Sequence, residues 1–457
     1  MPTNFFTADE PIYTARAPGR LDVMGGIADY SGSLVLQLPL DRHTVAQVQL
    51  QDAPSADVVS LRDGQPFTAS ISLEEFLHGA ANAPESIARR FPAGTDSHWA
   101  AYVFGVAHAR LVRDAATRRS VSRGFRLRIE SDVPEGKGVS SSAALEVAAL
   151  AAIDAAYGAR LSAEQIAIAA QWAENHVAGA PCGIMDQMTS ACGRRDHLLR
   201  LRCQPATIEG HVQIPDGYRF YGIDSGIRHA VSGADYATVR TAAFMGYRMI
   251  AAVAGLSVHL VGNRVRVDDE RWQGYLANIS PTEFVSRFET SLPEQMLGAD
   301  FLTQFGGITD DATRVHPDRF YPVRQATAHP VRENARVELF ASLLGELGAS
   351  PECAIEMGQL MIASHESYGA CGLGSDGTDR LVELVAEAGP SSGLYGAKIT
   401  GGGSGGAVAI LGTEDAESAV RAIAVRYEKE SGRAAEVFAR SGAGMAETGV
   451  SRSDVIR

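Results

Sequence analysis

The amino-acid sequence predicts an α+β protein with two lobes. The chain has 457 residues, more than one hydrophobic core usually organises. Strand-like and helix-like segments follow one another without a strict strand–helix–strand rhythm, which argues against a doubly wound parallel sheet. The composition changes near residues 210–220, so we expect one domain over residues 1–215 and a second over residues 216–457.

The candidate strands lie in both halves of the chain. Polar and apolar residues alternate over residues 44–50 and 125–130, which is typical of half-buried strands. Apolar runs predict two further strands over residues 218–223 and 406–411. Each of the first two strands precedes a segment rich in turn-forming residues, so both are expected to end there.

Five candidate helices lie between the candidate strands. They are predicted over residues 143–157, 162–178, 237–254, 335–347 and 353–366. The second of them can begin with a capping box, in which Ser162 is the N-cap and Gln165 follows three residues later. Residues 265–330 carry many prolines and charges, and they fit either a helical insertion or a surface loop.

The composition is that of an ordinary globular protein, with 45% hydrophobic and 21% charged residues. The formal net charge of −13 argues against nucleic acid or an anionic membrane as the partner, because both attract positive charge. No stretch approaches the roughly 18 apolar residues of a membrane-spanning helix. The five cysteines include no CxxC pair, which favours reduced thiols. We therefore expect a cytoplasmic protein that acts on small molecules.

A glycine-rich loop with three hydroxyl residues precedes the first candidate helix. In VPEGKGVSSSAAL, residues 133–145, the glycines allow backbone N–H groups to approach a phosphate, and the helix N-terminus adds the positive end of its dipole. Lys137 stands between Gly136 and Gly138, so the Walker motif is absent. The pattern predicts an anion-binding loop, and a tight turn capped by a serine is the alternative.

A second glycine-rich segment, KITGGGSGGAV, covers residues 398–408. Glycine occupies five of the six positions 401–406, directly before a candidate buried strand. Each ordered glycine carries an entropic cost, and flexible linkers seldom run straight into a strand. We therefore interpret the segment as a functional loop and keep a linker as the alternative.

Two carboxylates flank a Gly/Pro break in WAENHVAGAPCGIMDQ, residues 172–187. Glu174 precedes the break and Asp186 follows it among small and apolar residues. Such a pair can supply a metal ligand and a base or orienting group. The alternative is two solvated surface charges.

A fourth stretch, APGRLDVMGGIADY over residues 17–30, places one arginine and two aspartates among small residues. In order and spacing, these four stretches resemble the signatures of the GHMP small-molecule kinases, specifically the galactokinase-like branch. Over nearly the whole chain, including residues 265–330, the sequence is similar to the kinase portion of the L-arabinokinases. The resemblance implies an N-terminal lobe like domain 2 of ribosomal protein S5, a ferredoxin-like C-terminal lobe, and ATP and sugar between them.

The resemblance also implies which residues bind ATP and magnesium. The ATP-binding residues would be Gly136, Lys137, Gly138, Val139, Ser140, Ser141, Ser142, Ala143, Gly402 and Gly403. Mg²⁺ would be held by Ser142 and Glu174, which suits its preference for hard oxygen ligands and few protein contacts. Lys137 departs from the small or apolar residue usual in the family, so its contact with phosphate is a hypothesis.

For the reaction itself, the resemblance implies two catalytic residues, Asp186 facing the anomeric hydroxyl of a sugar and Arg20 beside it. The sugar-binding residues would be Asp22, Gly26, Ile27, Asp29, Tyr30, Gly183 and Tyr236. For Tyr236, a purely structural role in the core is the alternative.

The identity of the sugar is indicated by a departure from the galactokinase pattern. Galactokinases usually have Glu-His where this chain has Gly26 and Ile27, and that pair addresses the C6 hydroxyl of galactose. The following aspartate is kept as Asp29. L-arabinopyranose has the ring stereochemistry of galactose without the hydroxymethyl group. The resemblance therefore implies phosphorylation of L-arabinose at C1.

Two other functions stay open at this point. The chain could be a galactokinase-like kinase for a hexose or hexosamine, or a regulator that binds ATP and sugar without phosphorylation. The presence of Arg20, Ser142, Glu174 and Asp186 favours an enzyme. The sequence does not indicate an oligomeric state.

Overall fold

The structure is a computed structural model that describes residues 5–62, 64–79, 83–158, 160–228, 234–262 and 264–454. Its strands are β1 (Ile12–Met24), β2 (Leu34–Gln51), β3 (Ser55–Arg62), β4 (Gln65–Ser72), β5 (Gly124–Ser131), β6 (His197–Arg202), β7 (Thr207–Gln213), β8 (Tyr218–Asp224), β9 (Val258–Val261), β10 (Arg264–Val267), β11 (Met296–Leu297), β12 (Phe320–Tyr321), β13 (Leu394–Ile399), β14 (Ala407–Thr413), β15 (Val437–Phe438) and β16 (Ser451–Ser453).

Its helices are α1 (Leu73–Leu77), α2 (Pro84–Arg90), α3 (Trp99–Leu111), α4 (Ala115–Ser120), α5 (Ser141–Ala156), α6 (Ala163–Ala173), α7 (Met185–Cys192), α8 (Ala234–Val253), α9 (Pro281–Glu283), α10 (Gly298–Phe305), α11 (Val323–Glu346), α12 (Cys353–Ala370), α13 (Asp376–Ala388), α14 (Glu417–Ser431) and α15 (Met445–Thr448). The mixture of mainly antiparallel sheets and helices confirms the predicted α+β class.

The first sheet carries the N-terminal half of the site. Its strand order is β16-β1-β2-β5-β3-β4, with β6 beside the start of β2 and β7 beside β6. Within this sheet only β3 and β5 run parallel. Helix α5 packs across β1 and β2, and its apolar residues join the strands in one core. The N-terminus of α5 thus points toward the loop that follows β5.

The second sheet is antiparallel, with the order β13-β14-β8-β15, and α13 and α14 pack against it. The first sheet reaches Gln213 at the end of β7, and the second begins with β8 at Tyr218. Near the C-terminus, β16 returns to pair with β1. The division into domains at residue 215 stays a prediction.

The structure confirms all five predicted helices with shifted bounds, and two of them differ most from the prediction. The capping box of Ser162 and Gln165 is present, but α6 ends at Ala173 and the chain continues as a wider π-helical turn, Glu174–Ala178. Helix α11 begins at Val323 instead of residue 335 and contains Pro330. Proline is normally a helix breaker, and here burial of the first turns of α11 outweighs the lost hydrogen bond.

The segment over residues 265–330 is neither a surface loop nor a simple helical insertion. It contains β10 to β12, α9, α10 and the start of α11. Trp272, Phe284, Phe288 and Phe301 are buried there against α8 and α11. This packed unit lies beside α8, which carries the candidate sugar-binding residue Tyr236. Within the described ranges, no helix is long and apolar enough to cross a membrane.

Candidate active site

The loop between β5 and α5 has the backbone shape of an anion-binding loop. Gly136, Gly138 and Ser140 have φ angles of 73°, 69° and 61°, in the left-handed region. Val139, between Gly138 and Ser140, is buried. Its carbonyl oxygen accepts a hydrogen bond from the backbone N–H of Arg20 at 3.0 Å. Ser140 is an uncommon case, because a residue with a Cβ is strained in this region. The Ser140 side chain faces Asp186, to which its hydroxyl is hydrogen-bonded.

Arg20 and Asp186 form a bidentate ion pair beside this loop. Arg20, on β1, donates from Nε to Asp186 Oδ1 at 2.8 Å and from Nη2 to Asp186 Oδ2 at 2.9 Å. The Arg20 side chain is 3% exposed and the Asp186 side chain 21% exposed. Such a fork fixes both groups and strengthens each hydrogen bond. Asp186 therefore presents a fixed carboxylate to the partly open space in front of α7.

Further hydrogen bonds attach the ion pair to both glycine-rich loops. The Ser140 hydroxyl donates to Asp186 Oδ2 at 2.5 Å. Arg20 Nη1 donates to the Gly138 carbonyl oxygen at 2.7 Å, and the Thr400 hydroxyl donates to the same oxygen at 3.2 Å. The predicted phosphate loop, the predicted catalytic pair and the loop over residues 401–406 thus meet at one point.

The predicted magnesium ligands also lie together. Ser142, in the first turn of α5, lies beside the carboxylate of Glu174 in the π-helical turn. Burial, with Asp186 nearby, raises the pKa of Glu174 to about 7. Among the described residues, no cluster of three or more His, Cys, Asp or Glu side chains could hold a metal. One hydroxyl and one carboxylate fit an ion that takes its other oxygens from phosphate and water.

Sequence reasoning missed two residues behind Glu174. Gln187 Nε2 donates to both Glu174 Oε2 and Glu146 Oε2, at 2.5 Å and 3.1 Å. Glu146 is fully buried, and burial and the Glu174 charge raise its pKa well above the ordinary value. The available signal was spacing, because Glu146 stands four residues after Ser142 on one face of α5.

The predicted sugar-binding residues Asp29 and Gly183 are in close contact. A Cβ added at Gly183 would lie 1.7 Å from Asp29 Oδ2, so only glycine fits there. Asp29 accepts a hydrogen bond from the Tyr30 N–H at 2.9 Å. Burial first, and then repulsion from Asp186, raises the pKa of Asp29 to about 6. Asp29 therefore packs against Gly183, which precedes Asp186 by three residues.

Two tyrosines and an arginine line the same region. Tyr30 and Tyr236 pack edge to face with ring centroids 5.8 Å apart, and the Arg240 guanidinium lies 5.5 Å from the Tyr30 centroid. Arg240 donates two hydrogen bonds to Asp310, at 2.9 Å and 2.8 Å, and one to the Cys182 carbonyl oxygen at 2.7 Å. Sequence reasoning missed Arg240, although it stands four residues after Tyr236 on α8.

Three other predicted sugar ligands are enclosed by protein. Asp22 and Gly26 lie against Tyr368, and Ile27 is buried with a φ of 51°, a rare conformation for a β-branched residue. Asp22 pairs with Lys398 at 2.8 Å. The sugar contacts of Asp22, Gly26 and Ile27 stay predictions.

The remaining predicted ATP residues differ in exposure. Ser141 and Gly402 are partly exposed, Ala143 is buried in the core, and the Gly403 backbone packs against Leu373. Lys137 Nζ lies 2.7 Å from Asp224 Oδ2 and 3.4 Å from Glu436 Oε2. Lys137 is thus paired with carboxylates of the second sheet. Within the segment 224–236, which resembles the sugar-contacting segment of galactokinases, residues 229–233 lie outside the described residues.

Comparisons with known proteins identify the family of the chain. Residues 101–194 match the GHMP kinases N terminal domain, and residues 338–429 match GHMP kinases C terminal. Residues 3–50 match the galactokinase galactose-binding signature. The galactokinase of Chloroflexus aggregans is 30% identical over 95% of this chain and 93% of its own length. The fold and the site thus define a small-molecule kinase, and the chain belongs to the GHMP kinase family. Within that family it groups with the galactokinase-like sugar kinases.

A plant relative and two solved structures extend the comparison. The L-arabinokinase of Arabidopsis thaliana is 40% identical over 98% of this chain, which spans only 47% of that relative. The galactokinase of Lactococcus lactis, solved with galactose, superposes with a TM-score of 0.71 at 20% identity, covering 95% of each chain. The mevalonate kinase of Methanococcus jannaschii gives a TM-score of 0.53 at 14% identity over 94% of this chain and 97% of its own. These two structures establish the fold alone.

Proposed function

We propose that this protein transfers the γ-phosphoryl group of ATP to the C1 hydroxyl of L-arabinose, giving L-arabinose 1-phosphate and ADP. The observation that carries the proposal is the Arg20–Asp186 pair, which is hydrogen-bonded to the phosphate loop through Gly138 and Ser140. The names of the similar proteins, L-arabinokinase and galactokinase, support a sugar as the acceptor.

Asp186 accepts the proton of the C1 hydroxyl as that oxygen bonds to the γ-phosphorus. The bond from this phosphorus to the oxygen bridging to the β-phosphate breaks, and ADP leaves with the electron pair. Arg20 donates two hydrogen bonds that hold the Asp186 carboxylate in place. Its positive charge offsets the negative charge near the reacting oxygens. Phosphoryl transfer depends mainly on such positioning and charge stabilisation.

Nucleotide binding rests on the loop before α5. Backbone N–H groups of the loop and the N-terminus of α5 are suited to the phosphates of ATP. Ser142 and Glu174 would hold Mg²⁺, which neutralises phosphate charge when it is bound. Glu174 is buried and accepts a hydrogen bond from Gln187 Nε2 at 2.5 Å, which fixes the orientation of its carboxylate.

The preference for a pentose follows from residues 26 and 27. Gly26 has no side chain, and the Ile27 side chain is apolar and buried, so neither residue offers a polar partner to a hydroxymethyl group. A hydroxyl buried without a partner costs about 1–3 kcal/mol. Asp29, Tyr30 and Tyr236 remain available for ring hydroxyls. L-arabinose is therefore favoured over D-galactose, by about tenfold or more.

The direct test measures ADP release with Mg-ATP and, separately, L-arabinose, D-galactose, N-acetylgalactosamine and D-xylose. We expect the highest kcat/KM for L-arabinose, with D-galactose poorer by about tenfold or more. Asp186→Asn is the matched control, which should lose turnover by orders of magnitude and keep ATP binding. Better turnover of a hexose would overturn the substrate, and no turnover of any sugar would favour a binding-only regulator.

The cellular setting is part of the same proposal. All five cysteines, Cys182, Cys192, Cys203, Cys353 and Cys371, are free. Free thiols and access to ATP support a cytoplasmic location.

A further inference from the structure

A buried ion pair lies directly behind the Arg20–Asp186 pair. Lys398 Nζ is 2.8 Å from Asp22 Oδ2, and neither side chain is exposed to solvent. Asp22 Oδ1 accepts a second hydrogen bond, from Gln37 Nε2 at 2.7 Å. Asp22 follows Arg20 by two positions in a regular part of β1, so both side chains leave the same face of the strand. The ion pair therefore supports the strand segment that carries Arg20.

Tyr368 connects this ion pair to the loop over residues 401–406. Its hydroxyl donates to the Gly401 carbonyl oxygen at 3.0 Å and lies 3.3 Å from Asp22 Oδ2. Lys398 Nζ stands 5.2 Å from the centroid of the Tyr368 ring. A Cβ added at Gly401 would lie 3.1 Å from Arg20 Nη2, so the Gly401 backbone packs against the arginine. Tyr368 thus holds the loop against Arg20.

Gly26 sits on the same group of side chains. A Cβ added there would lie 1.8 Å from Tyr368 Oη and 2.2 Å from Asp22 Oδ2. Helix α11 contacts the same residue, because its His329 Nε2 donates a hydrogen bond to the Gly26 carbonyl oxygen at 3.0 Å. The turn between β1 and Asp29 therefore packs directly against Asp22 and Tyr368.

A buried ion pair is weak evidence for stability, because desolvation of the two charges offsets most of their attraction. Hydrogen-bonded polar networks do restrict the geometry of the groups around them, and the Asp22 carboxylate here accepts hydrogen bonds from Gln37, Lys398 and Tyr368. We propose that Asp22, Lys398 and Tyr368 form a positioning cluster that holds Arg20 and the loop over residues 401–406 in register. The inference rests on the proposed function and gives Asp22 a supporting role in place of a sugar contact.

The test removes the charges of the cluster and keeps its volume. In the double variant Asp22→Asn, Lys398→Met, the buried pair becomes neutral, so the melting temperature should stay within a few degrees of the wild-type value. The positioning role predicts that kcat for L-arabinose falls by about tenfold or more, the range expected from a small misplacement of reacting groups. Wild-type kcat in this variant would overturn the inference.

A remote ion pair provides the matched control. Arg110 and Asp154 also form a buried pair, between α3 and α5, with side chains only 5% exposed. The variant Arg110→Met, Asp154→Asn makes the same chemical change away from the site and should keep the wild-type kcat. An equal loss of kcat in this control would assign the effect to general destabilisation and overturn the positioning role. Tyr368→Phe, which removes one hydroxyl, should lower kcat with little change in melting temperature.

Backbone hydrogen exchange separates this inference from the proposed function. The amide protons of residues 400–406 should exchange about tenfold faster in the Asp22→Asn, Lys398→Met variant, and at the wild-type rate in the control. If the wild-type protein phosphorylates no sugar, the proposed function fails, and exchange alone decides the inference. Unchanged exchange in the loop would then overturn it.

Discussion

Gly183 is the residue in the candidate sugar site with the least room for a side chain. A Cβ at this position would lie 1.7 Å from Asp29 Oδ2, so Asp29 must move by more than an ångström to accommodate it. Displacements of that size reduce enzyme activity by about a hundredfold. We expect Gly183→Ala to lower kcat/KM for the sugar by about that factor with little change in KM for ATP, as measured by steady-state kinetics.

Gly345 offers a control for this prediction. It lies within α11, and a Cβ added there would meet no atom within 4 Å. Gly345→Ala should therefore leave activity unchanged and stabilise the helix by up to about 1 kcal/mol. Normal sugar kinetics in Gly183→Ala would show that Asp29 does not contact the substrate from its present position.

Asp29 predicts a pH dependence for sugar use. Burial and the neighbouring Asp186 raise the pKa of Asp29 to about 6. If its carboxylate accepts hydrogen bonds from sugar hydroxyls, protonation removes that capacity. We expect kcat/KM for the sugar to fall about tenfold per pH unit below pH 6. Asp29→Asn should lower the plateau and abolish this limb of the profile. A limb that persists in the variant would point to Glu174, whose pKa is raised to about 7.

The same titration affects stability, with a definite sign. The pKa of Asp29 is raised from 3.8 in the unfolded chain to about 6 in the folded protein. Between these values the folded state binds the proton more tightly, so the free energy of unfolding rises as the pH falls from 6 toward 4. Above pH 6 the buried charge destabilises the fold by roughly 2–3 kcal/mol. Urea unfolding of the wild type and of Asp29→Asn at pH 7 and pH 5 measures this difference.

Among the secondary-structure elements, the errors of sequence reasoning have physical causes. The predicted helix over residues 162–178 changes into a π-helical turn at Glu174, and composition does not encode that change. Such turns are frequent at functional sites, and this one places Glu174 beside Ser142. The helix predicted from residue 335 begins at Val323, because tertiary packing keeps the chain helical through Pro330.

Helix α8 and the segment over residues 265–330 are joined by the buried pair of Arg240 and Asp310, with side chains 7% and 3% exposed. Arg240 also holds the Cys182 carbonyl oxygen, next to Gly183. Removing one partner of a buried pair typically costs about 3–5 kcal/mol. We expect Asp310→Ala to lower the free energy of unfolding by about that amount and to raise KM for the sugar, as measured by urea unfolding and kinetics.

The adjacent Asp311 provides the control for this element. It pairs with Arg264 at 3.7 Å, and both side chains are about half exposed. Because exposed pairs contribute about 0–1 kcal/mol, Asp311→Ala should change stability and sugar KM very little. Similar effects of Asp310→Ala and Asp311→Ala would show that the 265–330 segment does not support the sugar site.

At the scale of the whole molecule, the sequence indicated the motifs of the site but not which distant residues contact one another. The glycine-rich loops and the carboxylates at Glu174 and Asp186 stand out because their residue types and spacing are unusual. The partner of Asp22 is Lys398, 376 residues away, and no local pattern relates the two positions. The contact arises only when the two sheets pack together, so a single sequence gives no basis for predicting it.

One hydrophobic cluster joins the two sheets, and this bears on how the molecule unfolds. Leu21 and Leu36 of the first sheet pack in one buried cluster with Phe340 of α11, Met357 of α12 and Ala409 of the second sheet. Neither lobe can be separated without exposing this apolar surface to water. We therefore expect the two predicted domains to unfold together as one cooperative unit.

Scanning calorimetry of the wild type and of Phe340→Ala tests this cooperativity. Phe340 is fully buried, and truncation of such a residue costs about 3–5 kcal/mol. One transition should appear in each protein, with equal calorimetric and van't Hoff enthalpies, and the whole transition should shift to lower temperature. The neighbouring Leu339 is 43% exposed, so Leu339→Ala should shift it far less. The opposite result would be two transitions, of which Phe340→Ala shifts only one. That result would mean that the two lobes unfold independently.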